Sequence, residues 1–440
     1  MALLLKHENL TAVRNPAFRQ YAENCLAVYD DFVRQVEQFG LPFAPQREAE
    51  LRAARERLST LGVKSCNEGA ALVWGRRCGA CEACRTGIDS YTGIISLMCH
   101  RNCFFCFNPN QENYEGYSHT KKDWQKELAQ VHRHQPDLRY VALTGGEPLL
   151  HKAEAVEYFR TARSFWPEAS LRLYTSGDLL EKETAAALRD AGVEEIRFSL
   201  KLEDTPEGRE TVYDAMELAK AHFPRVMVEM PVLPNAEEEM REILDRLEEM
   251  GLFGINLLEL CFPYHNAEAF LERGFRLRYP PYRTLYNFWY AGGLPVDGSE
   301  LLALKLLGYA AERGFRLNVH YCSLENKHFG QVYMQNLGAA AKDRTFVMSE
   351  KDFYLKTVKV FGKDISRAER IFRAHQRTDY QLDRERGFVQ FSPECAQLLK
   401  KTDLQLGISY NIREFREGES VIRELRLDLE EAAEFRPEEL

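Results

Sequence analysis

Three cysteines stand close together in the first third of the chain, at Cys99, Cys103 and Cys106. The spacing CxxxCxxC places three thiolates on one short loop, directly after a predicted strand at 94–98. Three thiolates suit a 4Fe-4S cluster in which one iron has no protein ligand. An open coordination position is typical of a catalytic metal centre, whereas four protein ligands close a structural site. A zinc site completed by another side chain, such as His100, is the alternative.

A glycine-rich turn follows the next predicted strand, 140–143. Thr144–Pro148 reads Thr-Gly-Gly-Glu-Pro. Gly145 and Gly146 allow the backbone to approach a ligand closely, and the Glu147 carboxylate can pair with an ammonium group. A turn that only joins a strand to a helix would explain this motif if it stood alone.

In this order along the chain, the two motifs resemble the signature of the radical S-adenosylmethionine (SAM) superfamily, including the aromatic Phe105 before the last cysteine. The resemblance covers 93–270 and implies that Gly145, Gly146, Glu147 and Pro148 bind the amino group of SAM. It also implies that a reduced 4Fe-4S cluster cleaves SAM. The resulting 5′-deoxyadenosyl radical would abstract hydrogen from a peptide or small-molecule substrate.

Four further residues are candidates for SAM contacts because they lie at the ends of later predicted strands. Thr175 and Ser176 end the third strand, and Ser199 and Lys201 end the fourth. Ser199 resembles the serine that contacts the SAM ribose in the family, while surface or turn chemistry is the alternative for each residue. The chain departs from the family at the fifth strand, where 230–234 replaces a glycine-rich pattern.

A second group of cysteines precedes the first, at Cys78, Cys81 and Cys84, and Cys66 lies twelve residues before it. CxxCxxC with a more distant cysteine is ferredoxin-like spacing, with Cys66 as the predicted fourth ligand. We therefore predict a second, auxiliary 4Fe-4S cluster. Four thiolates also suit structural zinc, which is the alternative.

The remaining cysteines carry no motif. Three roles stay open for Cys322: metal ligand, hydrogen-atom donor to a substrate radical, or buried thiol. Cys261 follows the sixth predicted strand and either faces a barrel cavity or packs in the core. Cys25 and Cys395 are isolated, and we interpret them as packing residues.

Six strand–helix steps must position these motifs. The predicted strands are 94–98, 140–143, 171–174, 196–200, 226–230 and 255–260. This alternation predicts parallel strands joined by right-handed crossovers. Periodicity leaves open a partial barrel or an open doubly wound sheet, and the resemblance implies a partial (β/α)6 barrel.

Three regions follow from this pattern, within an α/β fold class. We predict an N-terminal helical, cysteine-rich region over 1–92 and the radical SAM core over 93–270. An α+β region over 271–440 would then shape the substrate pocket.

Composition limits the classes of protein further. The 440 residues are 45% hydrophobic and 28% charged, as in an ordinary globular protein, and no stretch predicts a membrane span or a signal peptide. The net charge of -9 argues against a nucleic-acid binder. Eleven cysteines in such a chain indicate metal ligands in a reducing, cytoplasmic compartment.

A rival class remains open beside the enzyme. A non-catalytic iron–sulfur or zinc protein for electron transfer or metal sensing would use the same cysteines, but it has no need of the Gly-Gly-Glu-Pro turn. The resemblance to radical SAM enzymes also implies a partner, a low-potential reductant such as flavodoxin or ferredoxin.

Overall fold

The computed structural model describes residues 2–284, 292–340 and 342–440. They divide into two compact units. The core unit comprises the described parts of Gly40–Pro281 and Phe288–Gly330. The terminal unit comprises the described parts of Met1–Phe39, Tyr282–Asn287 and Gln331–Leu440. The domain boundaries predicted at residues 92 and 270 follow sequence regions and stay a prediction.

One nine-stranded sheet organises the core unit, and its strands are labelled in chain order. They are β1 (Lys64–Cys66), β2 (Ala71–Trp74), β3 (Ser90–Ile94), β4 (Tyr140–Thr144), β5 (Ser170–Thr175), β6 (Val193–Ser199), β7 (Arg225–Val232), β8 (Gly254–Glu259) and β9 (Asn318–Cys322). Across the sheet the order is β1-β2-β9-β8-β7-β6-β5-β4-β3.

Strands β3 to β8 are parallel neighbours in the order in which the chain makes them. A doubly wound sheet reverses its strand order at a switch point, and this sheet does not. Right-handed crossovers in one direction place their helices on one face, as in a barrel. The predicted α/β class with six βα steps is confirmed. The unit's helices of nine or more residues are Glu48–Thr60, Trp124–His134, Lys152–Phe165, Lys182–Asp190, Pro206–Lys220, Glu237–Glu249 and Ser299–Glu312.

The predicted position of the first strand was wrong. The apolar run at 94–98 mostly follows β3, which ends at Ile94. Its backbone instead pairs with the turn after β4, because Glu147 N donates to Met98 O at 2.7 Å. Burial of an apolar run gives the same pattern in a strand and in a tightly packed loop, so sequence alone did not separate them.

The sheet is also larger than predicted. Strand β9 lies in the predicted C-terminal region, yet it pairs parallel with β8. The hairpin of β1 and β2 then pairs antiparallel with β9. The pairing joins residues more than 200 positions apart, a separation that local periodicity does not report.

The terminal unit has an antiparallel seven-stranded sheet. Its strands are Leu3–Leu4, Val347–Met348, Leu355–Phe361, Tyr380–Asp383, Phe388–Phe391, Gln405–Arg416 and Glu419–Glu431. Helix Pro16–Glu37 begins after Asn15, whose side chain accepts from the first turn. This helix packs on the sheet, with Phe18 stacked 4.4 Å from Phe361. Helix Ile365–Ala374 also belongs to this unit. Helix Leu324–Asn336 follows β9, and its residues up to Gly330 belong to the core unit. Among the described residues, no helix is long and apolar enough to cross a bilayer.

Candidate functional site

The loop after β3 carries Cys99, Cys103 and Cys106. Cys99 is exposed and the other two are half-buried. The backbone turns tightly between the last two, where Cys106 N donates to Cys103 O at 3.1 Å. The Arg101 amide points at the Cys99 Sγ from 3.4 Å. The structure therefore brings all three predicted cysteines onto one accessible loop at the carboxyl end of the sheet, as the sequence indicated.

The thiols of this loop affect one another's protonation. Burial raises the pKa of the Cys103 thiol, the Lys201 ammonium opposes this effect, and the charges of Cys106 and Cys99 add to it. Burial likewise raises the pKa of Cys106, with Cys99 and Lys201 acting in opposite directions. Three thiolates that repel one another need a cationic partner. Lys201 beside them and a bound iron–sulfur cluster both meet that need, so the residues present fit the cluster.

The glycine turn lies directly against the cysteine loop. Gly146 N donates to Ser96 O at 3.2 Å, and a Cβ added at Gly146 would overlap the Met98 carbonyl. Gly145 has a φ of 127°, in the region that favours glycine, and its Cβ would lie 2.5 Å from Ser96 O. Only glycines permit this close pairing. The two motifs recognised separately in the sequence thus form one structure.

Glu147 is 2% exposed and its carboxylate lies among internal hydrogen-bond donors. Oε1 accepts from Leu149 N at 2.9 Å and from Thr175 Oγ1 at 2.8 Å. Oε2 accepts from the Ser176 amide at 2.6 Å. The Ser176 hydroxyl lies 2.7 Å from Oε2 and 2.6 Å from Asp178 Oδ1, and its one proton donates to one of them at a time. Thr175 and Ser176 therefore contact Glu147 directly, and the carboxylate fastens the end of β4 to the end of β5.

A polar network that the sequence did not indicate continues from Ser176 to the cysteine loop. Ser176 Oγ lies 2.6 Å from Asp178 Oδ1, and His100 Nε2 lies 2.7 Å from Asp178 Oδ2. Arg101 pairs with Asp178 at 3.2 Å and with Asp204 at 2.8 Å. Burial raises the pKa of Asp178, but hydrogen bonds from Ser176 and His100 outweigh it and hold the pKa below its ordinary value. In this structure His100 bonds a carboxylate.

The other candidates for cofactor contact lie around the same strand ends. Ser199 is the last residue of β6 and is half-buried, and Lys201 follows it near the cysteine loop. Pro148 begins a short helical turn and is buried. Asn108, two residues after Cys106, donates to Gly145 O at 2.9 Å and ties the cysteine loop to the glycine turn.

The second cysteine group lies in the same unit, on the short helix Gly79–Ala83 and its two flanking residues. Cys78 caps this helix, and its Sγ accepts from Cys81 N at 3.3 Å. Cys78 packs in a small apolar cluster with Met227 of β7. The cysteine group is therefore held against the face of the sheet on which Met227 stands.

N–H donors surround two of these thiols. Arg197 Nη2 lies 2.7 Å from Cys78 Sγ and 3.5 Å from Cys81 Sγ, and Asn256 Nδ2 lies 3.6 Å from Cys81 Sγ. The hydrogen bond with Cys78 lowers the pKa of the Cys81 thiol against the effect of burial, and Arg197 and His320 lower it further. The same hydrogen bond, together with burial, raises the pKa of Cys78. Cys81 is therefore the thiol of this pair that is favoured as the thiolate, the form that binds metal.

Carboxylates and an aromatic ring fix the Arg197 guanidinium, which is 2% exposed. Nε donates to Glu195 at 2.7 Å and Nη1 to Glu229. The Tyr174 ring lies 5.5 Å away. A buried charge is tolerated when it is paired and hydrogen-bonded in this way. Sequence reasoning missed Arg197 and Asn256, because a polar residue inside a strand carries no motif.

The remaining cysteines are placed as follows. Cys66 ends β1 and is half-buried. Cys261 lies against Gly293, and burial raises its pKa to about 12. Among the described residues, no three His, Cys, Asp or Glu side chains converge on one metal-ion position.

Comparison with known proteins finds a family match for part of the chain. Residues 94–247 match the family model described as the radical SAM superfamily. A Methanocaldococcus jannaschii protein, provisionally named a glycyl-radical enzyme activating enzyme, is 25% identical over 249 residues. The alignment covers 55% of this chain and 62% of that relative. The chain thus matches less than two thirds of the relative's length.

Solved structures show weaker likenesses. Streptococcus suis SuiB is 15% identical with a TM-score of 0.39, covering 53% of this chain and 49% of that chain. The anSMEcpe structure with bound AdoMet and a Cp18Cys peptide is 16% identical with a TM-score of 0.35, covering 52% and 62%. At TM-scores below 0.5, these likenesses define neither a substrate nor a partner for this chain.

Proposed function

The chain carries a radical SAM superfamily domain over residues 94–247, and on that premise we propose that it is a radical SAM enzyme. A reduced 4Fe-4S cluster held here would supply one electron, which would cleave a carbon–sulfur bond of SAM to give methionine and a 5′-deoxyadenosyl radical that abstracts hydrogen from substrate. The observation that carries the proposal is the backbone pairing of the glycine turn with the cysteine loop, through Glu147 N and Met98 O. That pairing supports the proposal because it places the turn predicted to bind SAM beside three thiols.

The proposed role of each residue follows from its position. Cys99, Cys103 and Cys106 would hold the cluster and leave one iron open to SAM. Lys201 offsets the negative charge of the thiolates. The Glu147 carboxylate already accepts internal hydrogen bonds, so we propose that it keeps the turn rigid while neighbouring groups of the turn contact SAM. Ser199 is proposed to contact the ribose.

We also propose a second 4Fe-4S cluster at Cys78, Cys81 and Cys84. Its support is the set of N–H donors aimed at the sulfurs, since such donors stabilise the anionic cluster and tune its potential. The alternative, zinc, would use the same thiolates for structure alone. A cluster here would relay electrons, bind substrate or hold the region together.

The substrate class is a polypeptide or a small molecule. The name of the archaeal relative favours a polypeptide, since such an enzyme acts on another protein. A low-potential reductant such as flavodoxin or ferredoxin is the proposed electron donor. A reducing compartment such as the cytoplasm suits the eleven free cysteines.

Thr175 provides a test of how the turn is held. Thr175→Val removes the hydroxyl that donates to Glu147 and accepts from Gly177 N at 3.1 Å. We expect the Kd for SAM of the iron-loaded chain to rise about tenfold, as for loss of a hydrogen bond to a buried charge. Thr175→Ser keeps both bonds and should stay within about twofold of the parent. Equal SAM affinity in all three proteins would contradict a role for Thr175 in holding the turn.

Equilibrium dialysis with radiolabelled SAM tests the proposed function itself. The chain loaded anaerobically with iron and sulfide should bind SAM, and the metal-free chain should bind far less, because the open iron is part of the site. A purely electron-transferring or metal-sensing protein would load iron and bind no SAM. That result would contradict the proposal that this chain is a radical SAM enzyme.

A further inference from the structure

We propose that Cys322 is the fourth protein ligand of the site at Cys78, Cys81 and Cys84, in place of Cys66. The inference rests on the proposed second cluster and names one of its ligands. It would join a segment before the barrel to a strand that the chain makes more than 200 residues later.

The first step is the face of β9 on which Cys322 stands. Cys322 is the last residue of β9, is buried, and points to the same face as His320 two residues earlier. His320 Nδ1 lies 3.0 Å from Asn256 Oδ1, and Asn256 Nδ2 lies 3.6 Å from Cys81 Sγ. The face that carries Cys322 is therefore the face against which Cys81 lies.

The second step connects Cys322 with Cys84. The helix Leu324–Asn336 begins directly after β9, and its Gly330 lies against the turn at Cys84. A Cβ at Gly330 would stand 2.9 Å from the Cys84 carbonyl oxygen. The helix that follows Cys322 thus reaches the turn at Cys84.

Sheet register places Cys66 farther away. Cys66 pairs with Ala71 of β2, and Ala71 pairs with Cys322 of β9. The three residues form one row across the sheet, with Ala71 between the two cysteines. Adjacent strands are about 4.8 Å apart, so Cys66 lies about 9.6 Å beyond Cys322, on the side away from β8. In this register Cys66 lies two strands farther than Cys322 from β8, the strand whose Asn256 contacts Cys81.

The donors to sulfur give the third step. Arg197 donates to Cys78 Sγ and Asn256 points at Cys81 Sγ. Asn326 Nδ2 lies 3.2 Å from Cys322 Sγ. Cys322 thus has the same kind of N–H donor as the two thiols of the motif. Second-layer donors of this kind orient metal ligands and raise their affinity for metal.

Paired single variants test the assignment. Both are made in full-length protein with Cys99, Cys103 and Cys106 changed to alanine, so that only the second cluster contributes iron. After anaerobic loading with ferrous iron and sulfide, Cys66→Ser should keep about four irons per chain and the parent's electron paramagnetic resonance spectrum. Cys322→Ser should drop to about three irons or fewer and change the spectrum. Loss of iron from Cys66→Ser, with about four irons kept by Cys322→Ser, would overturn the assignment of Cys322 as the ligand.

Alkylation of the chain with unchanged cysteines covers the case in which Cys322→Ser does not fold. N-ethylmaleimide should label half-buried Cys66 equally in loaded and metal-free protein. Protection of Cys66 on loading would overturn the assignment. If the parent takes up zinc but no iron, the second cluster itself fails, and this result is distinct because it appears before any change at Cys66 or Cys322.

Discussion

Replacement of Cys99, Cys103 and Cys106 together by alanine is expected to remove about four of about eight irons per chain and to end SAM cleavage. The three thiols lie on one loop and feel one another's charges, so they act as a single ligand set. The loop is held by backbone bonds from the glycine turn, which alanine side chains leave in place. The fold should therefore survive, and the loss should be specific to the cluster.

Iron and sulfide analysis, with chromatography of 5′-deoxyadenosine, measures this outcome. Cys25→Ala is a matched control, because Cys25 is half-buried on helix Pro16–Glu37 in the terminal unit. The control should retain all iron and all SAM cleavage. If 5′-deoxyadenosine is still formed by the triple variant, the catalytic assignment of the loop is wrong.

Replacement of Cys78, Cys81 and Cys84 by serine is expected to remove the other four irons, about half of the total, while SAM cleavage continues. Serine is chosen over alanine because Arg197 Nη2 lies 2.7 Å from Cys78 Sγ and a hydroxyl keeps an acceptor there. Alanine would leave a buried guanidinium without one partner, at a cost of about 1–3 kcal/mol.

Iron content and substrate turnover of the two triple variants, compared with each other, test the role of the second cluster. Substrate turnover should fall in the serine variant if the second cluster relays electrons or binds substrate, and should persist if it only supports the region. An unchanged iron content would contradict a cluster at this site. Zinc recovered from the unmodified chain in its place would show that the thiolates bind zinc.

Much of the core could be predicted from sequence because its signals are local. Five of the six predicted strands coincide with strands of the sheet, whereas the run at 94–98 lies mostly in the loop after β3. The cysteine spacing and the glycine turn are also local motifs, and the structure brings them together through the Glu147–Met98 bond. The candidate site residues that could be predicted from sequence are those whose spacing along the chain forms a local motif.

The rest depends on contacts between distant segments. Strand β9 joins the sheet although it is predicted outside the core, and Cys322 at its end carries no motif. Arg197 is recognised only when its guanidinium is seen against Cys78. The hydrogen bonds from Thr175 and Ser176 to Glu147 are also visible only in the structure, and the contact of Glu147 with SAM stays a prediction.

Formation of 5′-deoxyadenosine by the unmodified chain tests the central claim most directly. The protein is loaded anaerobically with iron and sulfide, reduced with dithionite and incubated with SAM, with metal-free and unreduced samples as controls. We predict 5′-deoxyadenosine only in the loaded and reduced sample, at about eight irons per chain. A fully loaded, reduced protein that neither forms 5′-deoxyadenosine nor binds SAM would contradict the account.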